Sequence, residues 1–208
     1  MLAGHYASAL ALSAAAPRAP LWALCIAAQC VDIAWSVFVV TGIEEAHIEP
    51  GFTASNGLVL AQVVYSHSLV AAFLWALGAA LLAFAWRRDL VVSLAVAAAV
   101  ASHWFLDLPM HTPDLPLAGP ESVRVGLGLW NQPVLAFGLE AALLGLSGWA
   151  FSRRAGPPAT RWGRPALFAT LGLLCLAGYF GPQPDHIVPT ALTGLFVYLT
   201  LPMLASRA

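Results

Sequence analysis

The chain has 208 residues, of which 60% are hydrophobic and 9% charged, with a mean hydropathy of +0.80 and a formal charge of −1. Such a composition marks an all-α, polytopic membrane protein and argues against a soluble domain. All nine cations are Arg, and none form a patch able to follow a phosphate backbone, so nucleic acid is excluded as a partner.

The first apolar run, Leu2–Ala16, predicts a short helix. Its Ala-rich make-up is that of a signal peptide, but it lacks a basic leading region and carries His5. A crossing helix needs about 20 apolar residues. Six full candidates follow, at Leu21–Gly42, Leu58–Trp86, Leu90–Leu108, Pro133–Phe151, Pro165–Phe180 and Ile187–Leu204. Pro17-Arg18, Arg87-Arg88-Asp89, the Gly-Pro-Pro segment between Arg153 and Arg164, and GPQPDH at Gly181–His186 interrupt them. The expected architecture is one helical bundle of six to seven segments over 1–208. Within it, 1–154 form the metal-site core and 155–208 a C-terminal helix pair. Cys25, Cys30 and Cys175 form no CxxC pair and lie in apolar stretches, so they read as small core residues rather than disulfides.

Charge orients the bundle. Eight of the nine cations fall on alternate loops, and Arg124 is the exception. Under the positive-inside rule those loops face the cytoplasm. The N-terminus, the loops Ile43–Asn56 and Pro109–Asn131, and the GPQPDH turn then face outward, with the C-terminus inside.

Depth turns scattered polar residues into a site. At 1.5 Å per residue, Asp32 and His67 lie roughly 15 Å below the outer ends of their helices, and His103 roughly 12 Å. Asp107 lies roughly 6 Å and Glu140 roughly 10 Å below theirs, with His5 close to the surface. All fall in the outer half of the bilayer, which points to one polar cavity open to the outside.

The spacing within that cavity is ligand-like. His103 and Asp107, at i and i+4, share one helix face. Pro109 predicts that the helix ends near Leu108, so that His111 folds back over the site from a loop. Asp32 and His67 arrive from other helices, and the mixed N/O set suits Zn²⁺ or Mn²⁺. Plainer roles exist for each residue. A lone His in a membrane helix is commonly an interhelical hydrogen-bonding group. Asp32 alone suits a helix clasp or a proton carrier. Glu44, Glu45, His47 and Glu49 read as a wet outer loop, His186 as a cap or surface residue, and most Trp residues as interface anchors.

The strings YSHSL (Tyr65–Leu69), SHWFLDLPMHTPDLPL (Ser102–Leu117) and GLGLWN (Gly126–Asn131) resemble a family of bacterial inner-membrane proteins classed as metal-dependent hydrolases, relatives of the LexA-regulated inner-membrane hydrolase. The resemblance covers roughly Met1 to Arg154. The family's pattern matches His5, Asp32, His67-Ser68, Ser102-His103 and Leu106-Asp107. Val64-Tyr65 stand where basic residues are usual, which implies a divergent branch.

The expectation is a metal-dependent hydrolase of the inner membrane. His5, Asp32, His67, His103, Asp107 and His111 would hold one or two divalent ions, most naturally zinc. Glu140 or Asp114 would be the general base. Ser66 and Ser68 would orient ligands, and GLGLWN would line the entrance as a re-entrant loop. The partners expected are the lipid bilayer and a small amphiphilic substrate, a lipid-like ester or phosphoester, with no oligomeric state indicated. The alternatives are a metal or proton transporter, a b-type haem protein and a purely structural membrane protein.

Overall fold

A computed structural model describes residue 1 and residues 3–208. It is 65% helical with only two small two-stranded sheets, which fixes the all-α membrane class. Among the described residues the helices are α1 (His5–Ala15), α2 (Leu21–Ala28), α3 (Cys30–Thr41), α4 (Val64–His67), α5 (Leu69–Arg87), α6 (Leu90–Asp107), α7 (Pro133–Arg154), α8 (Gly163–Phe180) and α9 (Ile187–Ala205). The expected start of the first segment at Leu2 lies outside the described residues. Five helices (α5 to α9) are long and apolar enough to cross a membrane. The pair α2/α3, bent by 47° at Gln29, passes the same test only when taken together, as a broken span or a re-entrant loop.

The span expected over Leu58–Trp86 is divided. Leu58–Gln62 form strand β2, which pairs antiparallel with β1 (Glu45–Ile48). The chain then makes the single turn α4 and extends at Ser68, whose ψ is 151°. Val59 and Val63 are β-branched, and Val63 also leaves the helical region. Ser68 restarts the helix by accepting from the Ala71 amide at 3.0 Å. His67 therefore sits just before its span, not deep within it. A hydrophobic run alone cannot separate a buried strand from the first turns of a helix.

α5 and α6 form an antiparallel hairpin through two residues. Arg88 takes the left-handed conformation (φ 52°) that ends α5, and Asp89 caps α6 by accepting from the Val91 and Val92 amides. Arg18 reaches the same carboxylate at 3.1 Å and ties the α1–α2 turn to this hairpin. Mild desolvation raises the Asp89 pKa, but these amides and the guanidinium outweigh it and hold the carboxyl below its usual range. The Arg-bearing connections thus gather at one end of the bundle. The core, including Leu10, Leu24, Val31, Val100, Leu171 and Leu201, runs between the helices, while α5 turns a broad apolar face to lipid.

The opposite end is closed by the hairpin β1/β2 and the long α6–α7 connection. That connection contains strands β3 (Leu115–Pro116) and β4 (Arg124–Val125) and a 3₁₀ turn at Leu129–Asn131. Arg124, the exception to the charge pattern, donates to the carbonyls of Leu60, Ala61 and Asp114. It is a clamp between two loops rather than a loose surface cation. The segment from Leu127 to Trp130 donates four amide hydrogen bonds back to the carbonyls of Leu108 to His111. A Cβ at Gly126 would lie 2.0 Å from the Thr112 carbonyl oxygen, so only glycine permits the approach.

Gly126→Ala is expected to cost about 1–3 kcal/mol of stability through this overlap. Gly119→Ala, where a Cβ meets nothing within 4 Å, is the control. Thermal unfolding in detergent measures both. Equal melting temperatures for the two variants would refute the close approach.

Candidate metal centre

One stripe of α6 builds both core and site. Val92, Val96, Ala99 and Val100 bury its first turns, and the same face ends in His103 and Asp107, both 1% exposed. Helical periodicity therefore carries an imidazole and a carboxylate to the inner face of the closed end. The helix stops at Asp107, as Pro109 predicts.

The break at Gln29 sets the state of His103. It turns the Ala28 carbonyl toward α6, where it accepts from His103 Nδ1 at 2.9 Å. A carbonyl can only accept, so Nδ1 carries a proton, and in the neutral ring Nε2 presents its lone pair. His103 Nε2 lies 3.4 Å from Asp32 Oδ1 and 3.2 Å from Asp107 Oδ2, yet it makes no hydrogen bond in its buried position.

A second device fixes His67. Glu44 accepts from the Tyr65 and Ser66 amides at 2.7 and 2.8 Å, and the Ser66 hydroxyl donates to its other oxygen at 2.5 Å. The Ser66 oxygen in turn accepts from His67 Nδ1 at 2.8 Å. In the neutral ring this order of donors leaves His67 Nε2 with a lone pair, 3.4 Å from Asp32 Oδ1 and 3.9 Å from Asp107 Oδ2. Glu44, read in the sequence as part of a wet loop, is thus buried and belongs to the site. Alternation would have found it, since Glu44 and Ala46 are buried and Glu45 and His47 exposed. Of the two serines expected to orient ligands, Ser66 touches His67, whereas Ser68 caps α5.

His111 folds back from its loop. Its Nδ1 donates to Asp114 Oδ1 at 3.1 Å, its ring packs on Trp130, and Nε2 faces Asp107 Oδ1 at 3.8 Å. The GLGLWN segment thus braces His111 through both backbone and Trp130. From α1, the His5 ring stacks on His103 at 3.6 Å, and its Nε2 lies 3.2 Å from Asp107 Oδ1. The Met1 amino group sits in the same place, 2.6 Å from Asp107 Oδ1 and 3.3 Å from His5 Nε2, a positive charge among the donors. Glu140 of α7 accepts from the Gly4 amide at 2.6 Å and from the Tyr179 hydroxyl at 2.9 Å.

Two sets of donor atoms that could hold a metal result, each within 4.8 Å: His5, His103 and Asp107, and Asp32, His67 and His103. A cavity of about 660 Å³ adjoins them, lined by Asp32, His67, Asp107, His111 and Glu140 on one side. Tyr179 of α8, the GPQPDH loop and Tyr198 of α9 form the other side. Gly194 sits under the Tyr198 ring, where a Cβ would come within 3.2 Å. The C-terminal helices therefore wall the site. Asp185 and His186 are exposed at its rim.

The YdjM inner membrane protein family matches residues 1–184, a stretch that holds every donor described above. The chain belongs to that family. Neither a curated protein nor a solved structure matches it. As a YdjM-family protein with five to six apolar spans, it is a multi-pass protein of the inner membrane and lies in the lipid bilayer. The match ends inside the GPQPDH loop, so the α9 wall of the cavity lies beyond it.

Glu44→Ala is expected to cost about 2–4 kcal/mol, because it leaves two amides and a hydroxyl without their acceptor. Glu45→Ala, one residue away and exposed, should change little. Chemical denaturation in detergent compares them. An undiminished stability in Glu44→Ala would show that this carboxylate does not anchor α4.

Proposed function

We propose that this protein is a membrane-embedded, metal-dependent hydrolase whose centre opens to the periplasmic face. The observation that carries the reading is a matter of lone pairs. The Nδ1 protons of His67, His103 and His111 are each taken by an acceptor outside the cluster. Their Nε2 atoms converge on two carboxylates, which also only accept. With the rings neutral, lone pairs face lone pairs and repel unless a cation lies between them, and a divalent ion meets several of these nitrogens at once where a proton meets one.

Distances support a small divalent ion. A tetrahedral ion with ligands at about 2.0–2.1 Å sets neighbouring donors about 3.3 Å apart. The His67–Asp32, His103–Asp32, His103–Asp107 and His5–Asp107 separations are 3.4, 3.4, 3.2 and 3.2 Å. Asp107 turns Oδ2 to His103 and Oδ1 to His5 and His111, the disposition of a carboxylate shared by two half-sites. The donor types, imidazole and carboxylate without thiolate, fit zinc or manganese. A haem fits poorly, since the His67 and His103 rings meet edge to face at 5.5 Å with one carboxylate between them.

A bound divalent ion supplies Lewis acidity and brings the pKa of water toward neutrality. The chain supplies the rest. Asp32, His5, His67, His103 and Asp107 hold the ion, and Glu44 through Ser66 and the Ala28 carbonyl keep two ring nitrogens aimed at it. Asp114 fixes His111 by its Nδ1–H bond. Glu140 lines the cavity, while Asp114 does not, so Glu140 is the carboxylate in reach of a proton released there. Each Glu140 oxygen already accepts one hydrogen bond, which positions the group and leaves a lone pair free. Trp35 lines the cavity and packs edge-on to His67 at 6.2 Å, walling the imidazole from that side. An ester or phosphoester of an amphiphile meets these requirements.

Purified protein is expected to bind one to two equivalents of zinc. His103→Ala and Asp107→Ala should each lower affinity about 10-fold or more, and the double variant little further, as ligands of one ion are not additive. Glu140→Gln should keep zinc, and exposed His47→Ala should change nothing. Additive losses at His103 and Asp107 would reduce the pair to a packing contact.

For the orientation, an impermeant thiol reagent should label a cysteine at Ala118 and not one beside Arg87, in a background free of Cys25, Cys30 and Cys175. The reverse pattern would move the centre to the cytoplasmic face.

A further inference from the structure

Cys175 of α8 lines two cavities at once. One is the polar cavity of the metal centre. The other, of about 580 Å³, lies between α1, α7 and α8 and is walled almost entirely by apolar side chains. Leu10 of α1 forms its floor, and it extends along α7 from Phe137 to Ser152, about 22 Å at the helical rise. A leaflet of the hydrocarbon core is about 15 Å deep. The slot therefore runs lengthwise through the bilayer, from the closed end that holds the donors toward the Arg-rich end. Trp149 and Leu176, both exposed, mark its open side toward lipid.

Two glycines keep the slot empty. A Cβ built at Gly145 of α7 or at Gly172 of α8 meets nothing within 4 Å, so neither is small for the sake of a neighbour in this chain. Glycine inside a helix costs about 1 kcal/mol relative to alanine, and at these two positions the missing side chain leaves the slot open. The setting selects its occupant. The slot is apolar along its length, opens to the hydrocarbon between Trp149 and Leu176, and meets the polar cavity at Cys175. A lipid acyl chain is the apolar group that reaches it from that side with a polar end to place among the donors.

We infer that the α1/α7/α8 slot binds one acyl chain of the substrate, entering from the bilayer, so that its polar linkage lies past Cys175 in the cavity beside His67 and Asp107. The inference rests on the hydrolase reading for what happens at that linkage, and on the slot alone for where the chain lies. It narrows the substrate class to acyl-chain lipids whose ester or phosphoester stands at the head of a long, unbranched tail. Sideways access through the gap beside Trp149 means that such a lipid need not leave the membrane to reach the donors.

The test uses full-length protein in vesicles of phosphatidylethanolamine and phosphatidylglycerol, doped with a phosphatidylglycerol that carries a photoactivatable diazirine in one acyl chain. Adducts are mapped by mass spectrometry and zinc is titrated on the same samples. Strong labelling is expected at Leu144, Phe168 and Leu171, above that of lipid-facing Leu82 and Leu199. Gly145→Leu and Gly172→Leu, at two independent positions, should bring slot labelling down to the Leu82 level and leave zinc binding intact. Alanine at either position should lower it partway if leucine does not fold. Unchanged slot labelling in the filled variants, or labelling in the parent no stronger than at Leu82, would overturn the inference. So would a Gly172→Leu change that converts a dimer to a monomer with slot residues protected only in the dimer, since the occupant would then be a second copy. Slot labelling that behaves as expected in a protein that binds no zinc would uphold the slot and sink the hydrolase reading instead.

Discussion

Two carboxylates, Asp107 buried and Asp32 half-buried, face the ring nitrogens of several histidines, and the rest of this end of the bundle is arranged to keep them there. Asp32 and Asp107 are acceptors only, and in neutral rings the nitrogens turned toward them are acceptors too, because Ala28, Ser66 and Asp114 accept from the opposite ones. In a low-dielectric interior such a cluster is unstable by itself and becomes a strong trap for positive charge. Helix packing alone gives no reason for several independent devices to hold the proton on the same ring nitrogen and turn the other inward.

Each of those devices is a local departure from regular structure. The 47° break at Gln29 frees a carbonyl for His103. The strand and single turn that replace the first part of the third apolar run bring His67 next to Ser66 and Glu44. The end of α6 before Pro109 lets His111 return, held by a backbone ladder from the glycine-rich segment. A bundle of uninterrupted helices would have buried the same residues without fixing their tautomers.

Most of the membrane architecture was legible in the sequence, because apolar runs of about 20 residues and alternating Arg loops are strong, additive signals. The helix ends near Leu108, Arg87 and Phe180 follow from Pro, charge and Gly-Pro punctuation. Leu58–Gln62 was not legible as a strand, since a short apolar run carries no period that tells strand from helix. The convergence of His5, Asp32, His67, His103, Asp107 and His111 could be inferred from depth and spacing. Glu44 was passed over, although alternation with Ala46 marks its inward face, because the partner strand of its hairpin was assigned to a helix. The role of α8 and α9 as a cavity wall was equally hidden, because an apolar helix gives no sign of which neighbour it leaves room beside.

The most direct measurement of the central claim is X-ray absorption at the zinc edge of zinc-loaded protein in detergent. A cation seated between the Nε2 atoms and the two carboxylates predicts a nitrogen and oxygen shell at about 2.0–2.1 Å, with the outer scattering pattern of more than one imidazole. That pattern should weaken when His103 is replaced by alanine. A shell of water oxygens without imidazole scattering, or a sulfur shell at about 2.3 Å, would contradict the account and place any bound metal elsewhere on the protein.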